Sequence, residues 1–416
     1  MGTISMRILL IHQYFLEKND PGGSRFNEMT KVWAKEGVHV TVLAGMIHAN
    51  AAGKADKYKG KCFVKDAYDE HTEVIRCHVS ESYNVNFLGR LWGYFSFVFF
   101  SIWAGLFKAK GKYDLILVTS PPLFVGITAY VLSKIKRIPY VFEIRDLWPE
   151  SAIDTGVVTN KLIIKISFWL EAFIYKHATL INVLTPAFRE ALLTKKNVAA
   201  SKIIYIPNAA DFSLTEELLE TFDAKAFRKE IGVSEEKLLI TYVGAHGVAN
   251  HLIQLVEVAE QMQDKPVFFL LIGDGMHKNM LKEEVVKRGL KSMKFVDSVP
   301  KKEVFKYILA SDLGASVLKN VEAFKTVYSN KSFDYMACKK PILMAIDGVS
   351  RQLVEEANAG VYVEPENTAD YIAKINDYLA HRERLSEQGL NGYHFALKSF
   401  DRETLAKQYL GYLRDL

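Results

Sequence analysis

The sequence predicts an α/β protein built as two doubly wound domains, and three observations predict it. Short apolar runs rich in Val, Ile and Leu recur along the chain, as strands buried on both faces of a parallel sheet require. Helical patterns separate these runs throughout, which is the alternation of layered α/β folds. The length of 416 residues exceeds what one hydrophobic core organises, so two domains are expected.

Taken in order, the first half places strands at residues 8–11, 38–44, 74–79, 115–119, 140–144, 180–184 and 203–206. The second half places them at 238–243, 267–272, 294–299, 313–317 and 341–346. Pro207-Asn208 and the polar segment 211–230 separate the two series, which sets domains at 1–208 and 209–399. No repeat, Pro-rich tract or low-complexity linker interrupts them. A ligand is expected in a cleft between such domains, at the carboxyl ends of their strands.

Hydrophobic residues at 49% and charged residues at 24% are the balance of an ordinary folded protein. The net charge of +5 suits an anionic ligand or membrane surface without demanding nucleic acid. Cys62, Cys77 and Cys338 show neither pairing nor ligand spacing and read as reduced structural thiols of a cytosolic protein. Residues 1–5 lack the features of a secretory signal.

Four segments carry candidate chemistry. Pro21-Gly22-Gly23-Ser24 follows the first strand and precedes a helix near Arg25. Gly22 and Gly23 would let backbone N–H groups approach a phosphate at a helix start, although a plain turn reads the same. A dinucleotide G-x-G-x-x-G fingerprint is absent. Residues 143–150 (EIRDLWPE) gather three carboxylates and an arginine after a strand. Either they form a structural ion cluster, or Asp146 or Glu150 positions an acceptor hydroxyl and handles its proton.

Residues 328–337 (YSNKSFDYMA) place Lys331 in the first turn of a helix beginning at Ser329 or Asn330. A cation is unfavourable there unless an anion sits nearby. Asp334 lies three residues on, on the same face. A lysine beside a diphosphate and a carboxylate accepting ribose hydroxyls form a coherent pair; a surface ion pair is the plainer reading. Gly273-Asp274-Gly275, the strand end running to Val299, and Gly244 with His246 offer further backbone contacts to a nucleotide, and turn chemistry alone also accounts for their glycines. No Asp-x-Asp and no His/Cys cluster with ligand spacing occurs. No metal cofactor is therefore expected, and a departing diphosphate would be neutralised by Lys331, backbone amides and helix N-termini.

In this order, PGGSR at 21–25, RDLWPE at 145–150, IPN at 206–208, IGDG at 272–275 and KSFDYMA at 331–337 make the chain resemble glycosyltransferase family 4. Its bacterial members that build capsule and O-antigen polysaccharides are the most similar. The resemblance runs from Ile8 to about Leu379. It implies a GT-B fold of two Rossmann-like domains, with the last helix, about residues 400–416, returning to the first. It implies retention of anomeric configuration without metal, a UDP-linked sugar such as an N-acetylated hexosamine as donor, and a polyprenyl-diphosphate-linked saccharide as acceptor. In that pattern Asp334 matches the acidic residue holding the donor ribose, Gly22-Gly23 the loop near the donor phosphates, and Asp146 the residue after the strand. The chain departs from it at Thr326, where relatives carry a glutamate, after Gly244, where an Arg and Lys pair is missing, and at Arg145, where histidine is common.

Residues 91–107 hold no charge and eight aromatic side chains, with Arg90 before them and Lys108, Lys110 and Lys112 after. A monotopic helix dipping into a membrane interface fits better than a span, with residues 87–112 attaching the protein to the inner face of the cytoplasmic membrane. The alternative is a helix packed between sheet and solvent. Two further functions share the architecture: a nucleotide-sugar 2-epimerase, which needs more carboxylates around the sugar, and a non-catalytic nucleotide-binding scaffold.

Overall fold

The computed structural model describes residues 5–18, 20, 25–47, 54–84, 87–154, 156 and 158–416. The chain divides into two units: the first holds the described residues of Met1–Lys18 and Ser24–Pro207 together with Glu403–Leu416, and the second holds Asn208–Arg402 with Asp20.

The sheet of the first unit contains β1 (Arg7–Ile11), β2 (His39–Gly45), β3 (Phe63–Ala67), β4 (Thr72–Cys77), β5 (Leu115–Ser120), β6 (Tyr140–Ile144), β7 (Leu180–Val183) and β8 (Ile203–Tyr205). Their order is β3-β4-β2-β1-β5-β6-β7-β8, parallel except for β3. Every residue of β5 and β6 is buried, which explains their unbroken apolar character. Five helices matter below: α1 (Arg25–Lys35), α2 (Phe87–Phe107), α3 (Val125–Lys136), α4 (Glu150–Asp154) and α5 (Lys161–His177). Strand order runs one way from β4 through β7, so right-handed crossovers lay α2, α3 and α5 on one face of the sheet and α1 on the other.

The second unit is a six-stranded parallel sheet of β9 (Leu238–Val243), β10 (Val267–Ile272), β11 (Met293–Val296), β12 (Leu313–Val317), β13 (Ile342–Ala345) and β14 (Gly360–Tyr362). Its order is β11-β10-β9-β12-β13-β14. Helices cover both faces, and a core around Ile240, Leu255, Phe269 and Leu343 fills one side.

Two strands were not expected from sequence. β3 reads FVKDA and leaves half its side chains in water, and β14 has only three residues, so neither shows a buried-strand pattern. The expected strand 294–299 ends at Val296 instead. Val299 lies beyond it and packs on the cluster of Val233, Leu239 and Phe268.

The final helix, Arg402–Arg414, packs within the first unit. Trp33 Nε1 on α1 donates to Ala406 O at 2.8 Å, and its ring meets Tyr409 edge-on. Strand order reverses beside β1 and β5 in one unit and beside β9 and β12 in the other. Those reversals open the carboxyl ends of the strands to ligands.

Candidate active site

In the second unit, β9 and β10 each lead into a glycine loop. Gly244, Gly273 and Gly275 all adopt positive φ, at 143°, 141° and 159°. The two loops pack backbone on backbone: a Cβ on Gly273 would lie 1.9 Å from Gly244 O, and one on Gly275 2.6 Å from His246 O. Loop packing alone therefore requires glycine at 273 and 275. His246, expected at a cleft mouth, is fully buried. Its N–H donates to Asp274 O at 2.9 Å, and its ring lies near Tyr242 and Phe295 with both nitrogens unpaired. Burial, reinforced by the Lys278 ammonium, lowers its pKa to about 4, so it is neutral at pH 7.

Asp274 is likewise committed. Its carboxylate accepts from Lys278 Nζ at 2.8 Å and from Ser298 N at 2.7 Å. Burial opposes its ionisation, but these two donors hold it down to about 2. Lys278 Nζ also donates to Gly273 O at 2.7 Å and to Asp297 at 2.5 Å. This one ammonium ties together the ends of β10 and β11.

Lys331 differs. It is the second residue of the helix Asn330–Ala337 and is half-buried. Its Nζ stands 5.1 Å from the centroid of the Tyr242 ring, and its Cε would lie 3.3 Å from a Cβ on Gly244. It forms no ion pair with Asp334, contrary to the pairing expected from their spacing. Burial pushes the Lys331 pKa down to about 8, with Asp334 opposing weakly from a distance. Asp334 instead faces Lys301 at 3.5 Å. Lys301 in turn holds Asp211, and Asp211 accepts from Arg402 Nε at 2.8 Å. Despite burial, Arg402 and Lys301 keep the Asp211 carboxyl well below its ordinary range. At the other end of the chain of charges, burial raises the pKa of Asp334 even though Lys301 pulls it down. Asp334 is thus the least satisfied carboxylate of the four-residue relay, and the one that remains partly open to solvent.

In the first unit the segment after β6 resolves into distinct roles. Glu143 is structural: fully buried, it accepts from Arg25 at 3.0 and 3.1 Å and from Asn182 at 2.9 Å. Arg25 also donates to Ile206 O at 2.8 Å, which fixes the strand end before Pro207. Glu150 is paired with Lys196, which also holds buried Glu171 at 2.6 Å. Lys196 thus engages one Glu150 oxygen, while the other, Oε2, is buried without a hydrogen-bond partner among the described residues. Asp146 accepts from Ser151 Oγ at 2.7 Å, and burial raises its pKa. Gly22 and Gly23 lie outside the described residues.

The sequence alone did not single out His12 and Gln13, which follow β1 at the reversal of strand order. Both are buried; His12 Nδ1 and both amide atoms of Gln13 lack partners, and Arg145 Nη1 lies 3.3 Å from His12 Nε2. The polar pair straight after the apolar run Ile8–Ile11 was the signal available for them.

Residues 22–209 match the family described as "Glycosyl transferase 4-like domain", and residues 223–395 match "Glycosyl transferases group 1". Both halves of the chain thus match glycosyltransferase domains, and the chain is a glycosyltransferase. Among relatives of this glycosyltransferase is WcaI of Escherichia coli (strain K12), whose name assigns it to colanic acid biosynthesis. The two are 23% identical over 94% of this chain and 96% of that protein. Sucrose-phosphate synthase of Thermosynechococcus elongatus superposes with a TM-score of 0.74 at 16% identity, covering 99% of this chain and 98% of its own. HepE of Anabaena, in complex with UDP-glucose, gives 0.71 at 18% identity over 99% and 100%. These two structural likenesses establish the fold. Within it, the glycosyltransferase brings Lys331, Gly244 and Tyr242 together at the reversal of strand order in the second unit, with Asp334 on the same short helix.

Proposed function

We propose that this glycosyltransferase is retaining and metal-independent, and moves a sugar from a UDP-sugar to a lipid-linked saccharide during surface polysaccharide biosynthesis. The observation that carries the proposal is Lys331: a lysine half-buried against Tyr242, with no ion-pair partner among the described residues, whose pKa burial lowers to about 8. An ammonium desolvated without a counter-ion is costly, and a diphosphate is the counter-ion that would relieve it. Among the described residues no three His, Cys, Asp or Glu side chains converge to hold a metal ion.

In the proposed reaction the bond from the anomeric carbon to the diphosphate oxygen breaks, and Lys331 stabilises the charge developing on that oxygen. The acceptor oxygen bonds to the same face of the sugar, and its proton passes to the departing phosphate. Asp334 accepts hydrogen bonds from the donor ribose, and Asp146 orients the acceptor hydroxyl. The names of WcaI and of the HepE complex support the polysaccharide and UDP-sugar parts of the reading. Peripheral attachment to the inner membrane face through residues 87–112 would bring the protein to a lipid-linked acceptor. No helix of the described residues is long and apolar enough to cross a membrane.

Thermal unfolding with UDP, GDP, ADP and TDP, all in EDTA, tests the donor site. UDP at about 100 times its Kd should stabilise by about 2.7 kcal/mol. Lys331→Met should lose most of that stabilisation. The absence of a shift with any nucleotide would overturn the reading.

A further inference from the structure

Helices α2 and α5 are apolar on both faces, which is unusual for a surface surrounded by water. The inner face of α2 buries Phe97 and Val98 together with small groups: Ser101 Oγ lies 2.8 Å from Thr128 Oγ1 of α3, and a Cβ on Gly105 would strike Leu132 at 2.4 Å. Its outer face carries large aromatics at spacings of three and four, with Trp92 63%, Phe99 62% and Phe107 61% exposed, and Phe95 and Trp103 between them. A surface helix normally turns a polar face to water.

Helix α5 repeats the arrangement. Asn160 caps it through Leu162 N and Ile163 N, which fixes its phase. Leu162, Ile166 and Trp169 then stand outward on one stripe, with Trp169 64% exposed and stacked on Phe173. Helix α3 lies between the two. Its Gly126 leaves no room for a Cβ against Ile174 of α5, and its Tyr130 packs on Phe173. The two stripes therefore leave the same helical layer on either side of α3, whose Ile135 is also exposed.

Charge selects the occupant. Every exposed charged side chain described on the three helices is a lysine: Lys134, Lys161, Lys165 and Lys176. Their one acidic residue, Glu171, is buried under Lys196. A second copy of the chain docked face to face would set these lysines against one another. An anionic bilayer would instead take the aromatics at its headgroup boundary and attract the lysines.

We infer that the glycosyltransferase docks on an anionic bilayer through both helices, α5 as well as α2, as one apolar platform rimmed by lysine. This rests on the membrane attachment proposed above and adds a second, separable element to it. Flotation with phosphatidylglycerol vesicles, compared with phosphatidylcholine vesicles, tests it on the full chain. Ile166→Glu with Trp169→Glu should lower partitioning about tenfold, as should Phe99→Glu with Trp103→Glu. Lys161→Glu with Lys165→Glu should weaken binding to phosphatidylglycerol alone. All these side chains are exposed, so unchanged thermal unfolding checks that the variants fold. If the α5 variant floats like the wild type, the two-helix platform is wrong while attachment through α2 stands. A wild type that ignores both vesicles sinks both. Self-association lost in the α5 variant, with no vesicle binding, would assign the face to a second copy and overturn the inference.

Discussion

Lys278 and Lys331 stand in equivalent places of the second unit, in the first turn of a helix after a strand, yet their surroundings make them opposites. Lys278 is saturated by Asp274, Asp297 and Gly273 O, and these carboxylates raise its pKa although burial alone would lower it. Lys331 has an aromatic ring beside it and no carboxylate in contact, and burial lowers its pKa to about 8. A cation at a helix start is unfavourable in both cases. In one case the protein supplies the compensating charge; in the other the position suits a bound anion. Helix position alone therefore does not tell a structural lysine from a ligand-binding one. Partner count does.

The largest effect that could break this contrast is on turnover. Lys331→Met should lower kcat by about 10²- to 10³-fold, as loss of one group stabilising a developing anion does elsewhere. Its unfolding midpoint should not fall, because the lost ammonium had no ion pair. Next comes stability. Lys278→Met should lower the free energy of urea unfolding by about 2–3 kcal/mol, from carbonyls and carboxylates left without their donor. Equal loss of stability in both variants would erase the distinction.

The smallest effect is in pH, and its sign separates the two sites. Between pH 8 and the ordinary lysine value near 10.5, the unfolded chain binds the Lys331 proton that the folded chain has released. Stability from this residue therefore rises with pH in that window. The raised Lys278 pKa acts the other way: its contribution is whole below the ordinary value and is lost as pH climbs through the folded one. Donor binding needs Lys331 charged, so UDP affinity should fall about tenfold per pH unit above 8. Titration calorimetry on wild type and Lys331→Met checks this, and a slope shared by both would remove Lys331 from the site.

Much of this architecture could be read from sequence, because buried parallel strands such as β5, β6 and β10 write themselves as unbroken apolar runs. β3 and β14 could not be, since neither an edge strand largely in water, like β3, nor one of three residues, like β14, carries such a run. Lys331 drew attention through its awkward place in a helix. The relay that occupies Asp334 did not, because Asp211 meets partners 90 and 191 positions away, distances no local pattern spans. His246 and Asp274 looked like contacts to a nucleotide because a glycine loop shows its freedom in sequence but not the neighbouring backbone that uses it.

The helix Arg402–Arg414 has a consequence for how the protein is made. It is made after the whole of the second unit, yet it supplies the acceptor for Trp33 Nε1 and the aromatic neighbour of that indole, within the first unit. The outgoing chain pairs with the incoming one, Ala210 N donating to Phe400 O at 2.8 Å and Arg402 N to Ala210 O at 3.0 Å. The second unit is thus one closed excursion from the first. During synthesis the earlier-made unit waits, its Trp33 uncovered, until the later one has been delivered, and a chain cut short before residue 403 leaves both the wait and the indole permanent.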